Sequence, residues 1–216
     1  MHSTDYYVIR QQILSFQHLS YDVPIVNIVN KYKESKQSIG VNTEHFRFGS
    51  YIEQFNKLAS DDLYTILLND DSMIAMHYIF DENLYLIKHT LSYLPNYKRD
   101  LFDSTEIMDE DANIEMEDMA RRLSNYLRVD FDTLGKQDYF HTDVHLHVGL
   151  FRDSFRIPLK TYLFPNDFVY LVFKYIYHLD EDLLKNLVIP NTKKIKLSES
   201  ELSRVYMCYG IDKYDY

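Results

Sequence analysis

A chain of 216 residues with a formal charge of −10, one cysteine and 5 glycines falls between one domain and two, and is long enough to bury a core without disulfides or metal. The lone Cys208 excludes a disulfide framework and a cysteine-based zinc cluster, and suits a reducing cytosol. The acidity argues against a surface broadly attracted to nucleic acid or anionic lipid.

In chain order, Tyr6, Ile9, Ile13 and Phe16 recur at helical spacing behind Ser3-Thr4-Asp5. Pro24 opens a second run, Ile25, Ile28, Val29 and Tyr32, whose spacing predicts another helix. A third helix is expected from Tyr51 to Ala59, after Ser50. From Leu63 the period becomes that of strands. Leu63 to Leu68 is followed by the turn Asn69-Asp70-Asp71-Ser72, and Met73 to Phe80 joins Leu84 to Leu94 through Asp81-Glu82-Asn83 as a hairpin.

Between Asp100 and Asp118 lie nine acids and no Lys or Arg, leaving −1 for everything else. Such a run is either a solvated loop or a docking segment for a basic partner surface, with Asp109, Glu110, Asp111 and Glu115 at its centre. Ile114 to Tyr126 then reads as helical. Strands are expected at Leu127 to Asp132, Asp143 to Phe151 and Phe155 to Leu159. A helix from Phe164 to about His178, a short one at Asp180 to Leu187 and a last one behind the capping box Ser198–Glu201 complete the chain. The fold class is therefore α+β: an antiparallel sheet of about five or six strands flanked by N-terminal and C-terminal helices. It divides into a helical region over 1–60, the sheet core over 61–178 and a helical annex over 179–216, expected as one folded unit.

Chemistry concentrates in His141-Thr142-Asp143-Val144-His145-Leu146-His147-Val148. Side chains alternate across a strand, so if the strand starts early enough His141, Asp143, His145 and His147 share one face and the valines and leucine the other. Arg128, Asp130 and Asp132 divide the same way, as do Ser154 and Arg156. If these strands are neighbours, one face gathers Arg128, Asp130, His145, His147 and Arg156. Two imidazoles with a carboxylate across the ladder can hold a divalent metal, and an arginine beside them a phosphate. The same pattern is also the wet face of a half-exposed sheet, or a hydrogen-bonded Arg/Asp/His network buried under helices. No Gly-rich phosphate loop and no Gly-x-Ser-x-Gly elbow exists, and Cys208 sits in an apolar run that suits an inert buried thiol. Lys193, Lys194 and Lys196 are the one basic cluster, expected as a solvated linker.

Leu68 to Tyr78 with Lys88 to Pro95, and Leu127 to Asp132 with His141 to Gly149, Arg156-Ile157-Pro158, Phe164 to Phe168 and Tyr175 to His178, resemble the bacterial domain of unknown function 2290 family. The resemblance covers about 63–178 and departs at Asp70-Asp71, where a glycine turn is expected, and after Tyr177, where a proline is. It implies a prokaryotic or phage origin and an accessory role in mobile or defence-associated gene sets. Its polar positions fall on Arg128, Asp130, His145, His147 and Arg156.

The lack of a catalytic motif, beside one segment holding nearly all the charge, points to a non-enzymatic, cytoplasmic, protein-binding subunit without a cofactor. Its partner would be another protein, rather than nucleic acid or a membrane. Two alternatives stand beside it: a metal-dependent nuclease or phosphoesterase using His145, His147 and Asp130 with a divalent metal, and an acidic, nucleic-acid-mimicking inhibitor or antitoxin-like protein.

Overall fold

The computed structural model describes residues 5–19, 23–30, 34–42, 50–97, 126–133, 143–149, 156–159, 161–185 and 187. The helices are α1 (Asp5–Ser15), α2 (Tyr51–Ser60), α3 (Pro165–Tyr175) and α4 (Glu181–Leu184), with a 3-10 turn at Phe16–His18. The strands are β1 (Val26–Val29), β2 (Ser38–Gly40), β3 (Ile66–Leu68), β4 (Met73–Phe80), β5 (Leu86–Leu94), β6 (Leu127–Asp132), β7 (Val144–Val148) and β8 (Arg156–Pro158). Among the described residues they form one antiparallel sheet of eight strands in the order β1-β3-β4-β5-β6-β7-β8. β2 lies off this path and pairs with the second half of β4, whose first two residues pair with β3. The fold is α+β, with a larger sheet than expected.

The two additional strands lie in the region expected to be helical. Ile25, Ile28 and Val29 do not continue a helix: Val26–Val29 pairs with β3, and a bulge between Val26 and Ile28 shifts the register. That extra residue breaks strict alternation, so the apolar spacing imitates a helical period. The β-branched side chains nevertheless favour the extended backbone. β2 is three residues long and ends at Gly40, whose φ is +105°. A Cβ there would lie 2.0 Å from the Met76 carbonyl oxygen of β4, so only glycine brings the two strands this close. Gly40→Ala is expected to cost about 1–3 kcal/mol, read as a lower urea midpoint. An unchanged midpoint would mean that β2 and β4 can separate without loss.

Alternation gives the sheet two unlike faces. One carries Tyr78, Leu91, Val129 and Leu146 and meets Ile9, Ile13 and Phe16 from the N-terminal helical segment and Phe168, Val172 and Phe173 from α3 in a single apolar cluster. Each such side chain taken fully from water contributes roughly 1.5–3 kcal/mol, so this layer carries most of the apolar stabilisation. Part of the tyrosine load belongs here too. Tyr78 and Tyr93 are fully buried, and their hydroxyls reach the Leu163 carbonyl at 3.5 Å and the Tyr177 hydroxyl at 3.1 Å. Tyr177 donates in turn to Asp70 Oδ2 at 2.8 Å. On the opposite face a smaller cluster packs Phe55 and Leu58 of α2 against Met73, Ala75 and Leu94. α2 is started by Ser50 and Glu53, each accepting the other's backbone N–H, at 3.3 and 2.8 Å. No described helix is long and apolar enough to cross a membrane.

Candidate functional site

The face opposite the main core is polar where β4 to β8 run side by side. Its register is read directly from the ladders. One cross-strand row is Gly40, His77, Thr90, Asp130, His145 and Pro158; the next is Ala75, Ser92, Arg128, His147 and Arg156. The four residues Arg128, Asp130, His145 and His147 therefore form a square on two neighbouring strands. Their backbones are fixed by Val129, Phe131, Val144 and Leu146, which alternate with them and anchor in the apolar core.

The square is nearly dry: the side chains of His145, His147, Asp130 and Arg128 are 1, 12, 15 and 22% exposed. Arg128 Nε donates to Asp130 Oδ2 at 2.9 Å, and a terminal guanidinium nitrogen lies 3.1 Å from His147 Nε2. Guanidinium has no lone pair to offer, so His147 Nε2 is the acceptor and its ring proton sits on Nδ1. The 3.4 Å approach of the same Nε2 to Asp130 Oδ2 is then not a donation, because one nitrogen cannot donate and accept at once. His145 Nε2 stands 3.8 Å from Asp130 Oδ2. The two imidazoles meet edge-on, with centroids 4.7 Å apart.

Burial pushes the Asp130 carboxyl up, but with His147 Nε2 an acceptor the Arg128 guanidinium, donating at 2.9 Å, is the neighbour that outweighs it, and the group is held well below the usual carboxylate range. Asp130 is therefore an anion at every ordinary pH. Its Oδ1 is buried without a hydrogen-bond partner. An ionised carboxylate with one idle buried oxygen is costly unless something else completes it. One donor atom each from Asp130, His145 and His147 lies within 4.8 Å of the others, a spacing that suits three protein ligands around a divalent ion with positions left open.

A family model described as "Uncharacterized conserved protein (DUF2290)" matches residues 15–209. The chain belongs to the DUF2290 family. The match reaches beyond the 63–178 stretch of the sequence resemblance and takes in most of the chain. No curated protein and no solved structure matches the chain. What this DUF2290 member does must therefore be argued from its own residues.

Of the residues singled out by alternation, Arg128, Asp130, His145 and His147 come together. Asp143 is half-buried and tied to β6 through its carbonyl, which accepts from Asp132 N at 2.9 Å; it is not one of the three converging donors. The Arg156 backbone lies across the ladder from His147; its side chain is outside the described residues, as are His141, the acidic segment with Asp109, Glu110, Asp111 and Glu115, and Cys208. Sequence reasoning missed His77, Thr90 and Ser92, which lie in the same two rows and are 8, 5 and 4% exposed. The alternation Lys88, Thr90, Ser92 in β5 was the sign that the polar face continues toward β4.

Proposed function

We propose that this DUF2290 protein binds a divalent metal at Asp130, His145 and His147 and hydrolyses phosphate esters there. The observation that carries the reading is the convergence of three donors, His145 buried and Asp130 and His147 largely so, at an ionised carboxylate with an idle oxygen. A divalent cation in such a site makes water acidic and polarises a phosphoryl oxygen. The chain supplies the rest. Arg128 already sits as a cation between the Asp130 carboxylate and the His147 lone pair. A metal taking those two groups would displace the guanidinium, whose planar fork suits a phosphate.

The reading of the protein as a non-enzymatic, partner-binding subunit of a cytoplasmic system rests on the lack of a catalytic motif beside the acidic segment, with that segment or the polar sheet face as its recognition surface; the segment lies outside the described residues. Its nucleic-acid-mimic variant rests on the same segment.

The test is metal binding by the full chain. Calorimetry and elemental analysis with Zn, Mn and Ni are expected to give one ion per chain, and saturation at about a hundred times the dissociation constant to stabilise the fold by about 2.7 kcal/mol. The His145→Ala/His147→Ala variant is expected to bind none and to lose phosphoesterase activity at least about 100-fold. A wild-type protein that takes up none of these metals sinks the proposal.

A further inference from the structure

We infer that His77 is the proton donor to the leaving group in this hydrolysis, with the Thr90 hydroxyl between it and the metal ligands; the inference rests on the phosphoesterase reading above. The row in which it lies runs Gly40, His77, Thr90, Asp130, His145 across β2, β4, β5, β6 and β7. His77 and Asp130 are two strands apart, which at the normal strand spacing is about 10 Å. An in-line phosphoryl displacement needs a metal–oxygen bond at one end, two axial oxygens about the phosphorus, and a hydrogen bond to a proton donor at the other. Those parts span about 9 Å. The length of the row fits that requirement. A donor on β5 would crowd the phosphoryl group, and one beyond β4 would fall short of the leaving oxygen.

The residues beside His77 in the sheet are small, and Ala75 among them is covered by Phe55 and Leu58 of α2. Gly40 contributes no side chain on its outer flank, while Ala75 and Ser92 occupy the neighbouring row beside His77 and Thr90. On the same face Lys88 is engaged one row away with Asp132 at 3.8 Å. Within its own row, His77 is the titratable side chain that lies across Thr90 from the ligands. Imidazole is also the side chain whose ordinary pKa lets it give a proton near neutrality. In the step, water attacks phosphorus from the Asp130/His145/His147 side and gives up a proton to solvent. The bond from phosphorus to the ester oxygen breaks, and that oxygen takes the proton of the His77 imidazolium as it leaves.

The test compares leaving groups, using methyl p-nitrophenyl phosphate and a dinucleoside phosphodiester with the metal-loaded full chain. A nitrophenolate departs without a proton; an alkoxide does not. In His77→Gln, kcat is expected to fall about 10²–10³-fold on the dinucleoside and less than about 3-fold on the nitrophenyl ester. Equal losses on both would make His77 a structural residue and overturn the inference while leaving the hydrolase reading intact. A wild-type protein that cleaves neither ester overturns both. Wild-type kcat across a series of aryl and alkyl esters gives a second measurement that needs no variant: a shallow dependence on leaving-group basicity is expected, and a steep one overturns the assignment.

Discussion

Asp130→Ala is expected to destabilise the fold by about 3 kcal/mol, read as a fall in the urea midpoint with the slope unchanged. The size follows from what is left behind. Arg128 is mostly buried, and its Nε donates to Asp130 at 2.9 Å. Without the carboxylate, a guanidinium charge remains in a nearly dry site with two imidazoles and the Tyr126 hydroxyl beside it and no anionic partner in the square, and removing one member of a buried pair costs more than the pair itself contributes. The double variant Arg128→Met/Asp130→Ala is therefore expected to be more stable than the Asp130→Ala single variant, although it carries one more substitution. Asp130→Asn, which keeps an oxygen for the Arg128 Nε–H, falls between them. A double variant at least as unstable as the sum of its parts would show that Arg128 is held by something other than Asp130. The same series separates stability from metal binding: Arg128→Met removes a cation from beside the donors, so it is expected to bind metal more tightly while losing affinity for phosphate.

How much of this was open to sequence reading depends on how local the cause is. β6 was expected over Leu127–Asp132 and lies there, because alternation within one strand needs no knowledge of its neighbours. The start of α2 was marked by Ser50, whose cap is completed within three residues by Glu53. Pro165 likewise opens α3, where a missing N–H costs nothing. β1 was misread because a bulge disguises its period. β2 was passed over because three residues ending in glycine carry no pattern, and only the close approach to Met76 explains them. On the polar face, alternation was enough to put Arg128, Asp130, His145 and His147 on the same side. It could not show that Arg128 wedges between Asp130 and His147, nor that Asp130 keeps an idle oxygen, since these are facts of side-chain geometry. His77 and Asp130 are more than fifty residues apart, and their common row exists only through the β4–β5 and β5–β6 registers.

The second large effect lies at the other end of the core. Asp167, at the first turn of α3, is fully buried, and its Oδ2 accepts the Phe164 N–H at 2.8 Å. Burial pushes its carboxyl up to about 7 against this hydrogen bond. His89, also fully buried, accepts the Leu163 N–H on Nε2 at 3.3 Å, and burial pushes its imidazolium down to about 4. The two shifts act on stability in opposite senses. Below the ordinary aspartate value of 3.8, Asp167 is protonated in both states and contributes nothing. Between 3.8 and about 7 the unfolded chain has lost this proton and the folded chain has not, so stability falls as pH rises, by about 1.4 kcal/mol per unit. Above about 7 the loss is complete, on the order of 4 kcal/mol. His89 is neutral in both states above its ordinary 6.5. Between 6.5 and about 4 the unfolded chain takes up a proton that the folded chain refuses, so stability rises with pH at the same rate.

Over pH 4 to 6.5 the two slopes cancel, and from these groups the wild-type protein gains a nearly flat profile. Asp167→Asn removes one slope and exposes the other. The amide oxygen can still accept from Phe164, but its buried NH₂ adds a cost of about 1–3 kcal/mol. The variant is therefore expected to be less stable than wild type at pH 4 and more stable at pH 8, with urea midpoints crossing between. Relative to wild type it moves by about 4 kcal/mol across that range, and its own stability climbs by about 3 kcal/mol from pH 4 to 6.5, where the wild type stays level. A variant that parallels wild type at every pH would mean that Asp167 is ionised in the folded core throughout. α3 would then start on a charge that its first turn stabilises, rather than on a proton that its burial retains.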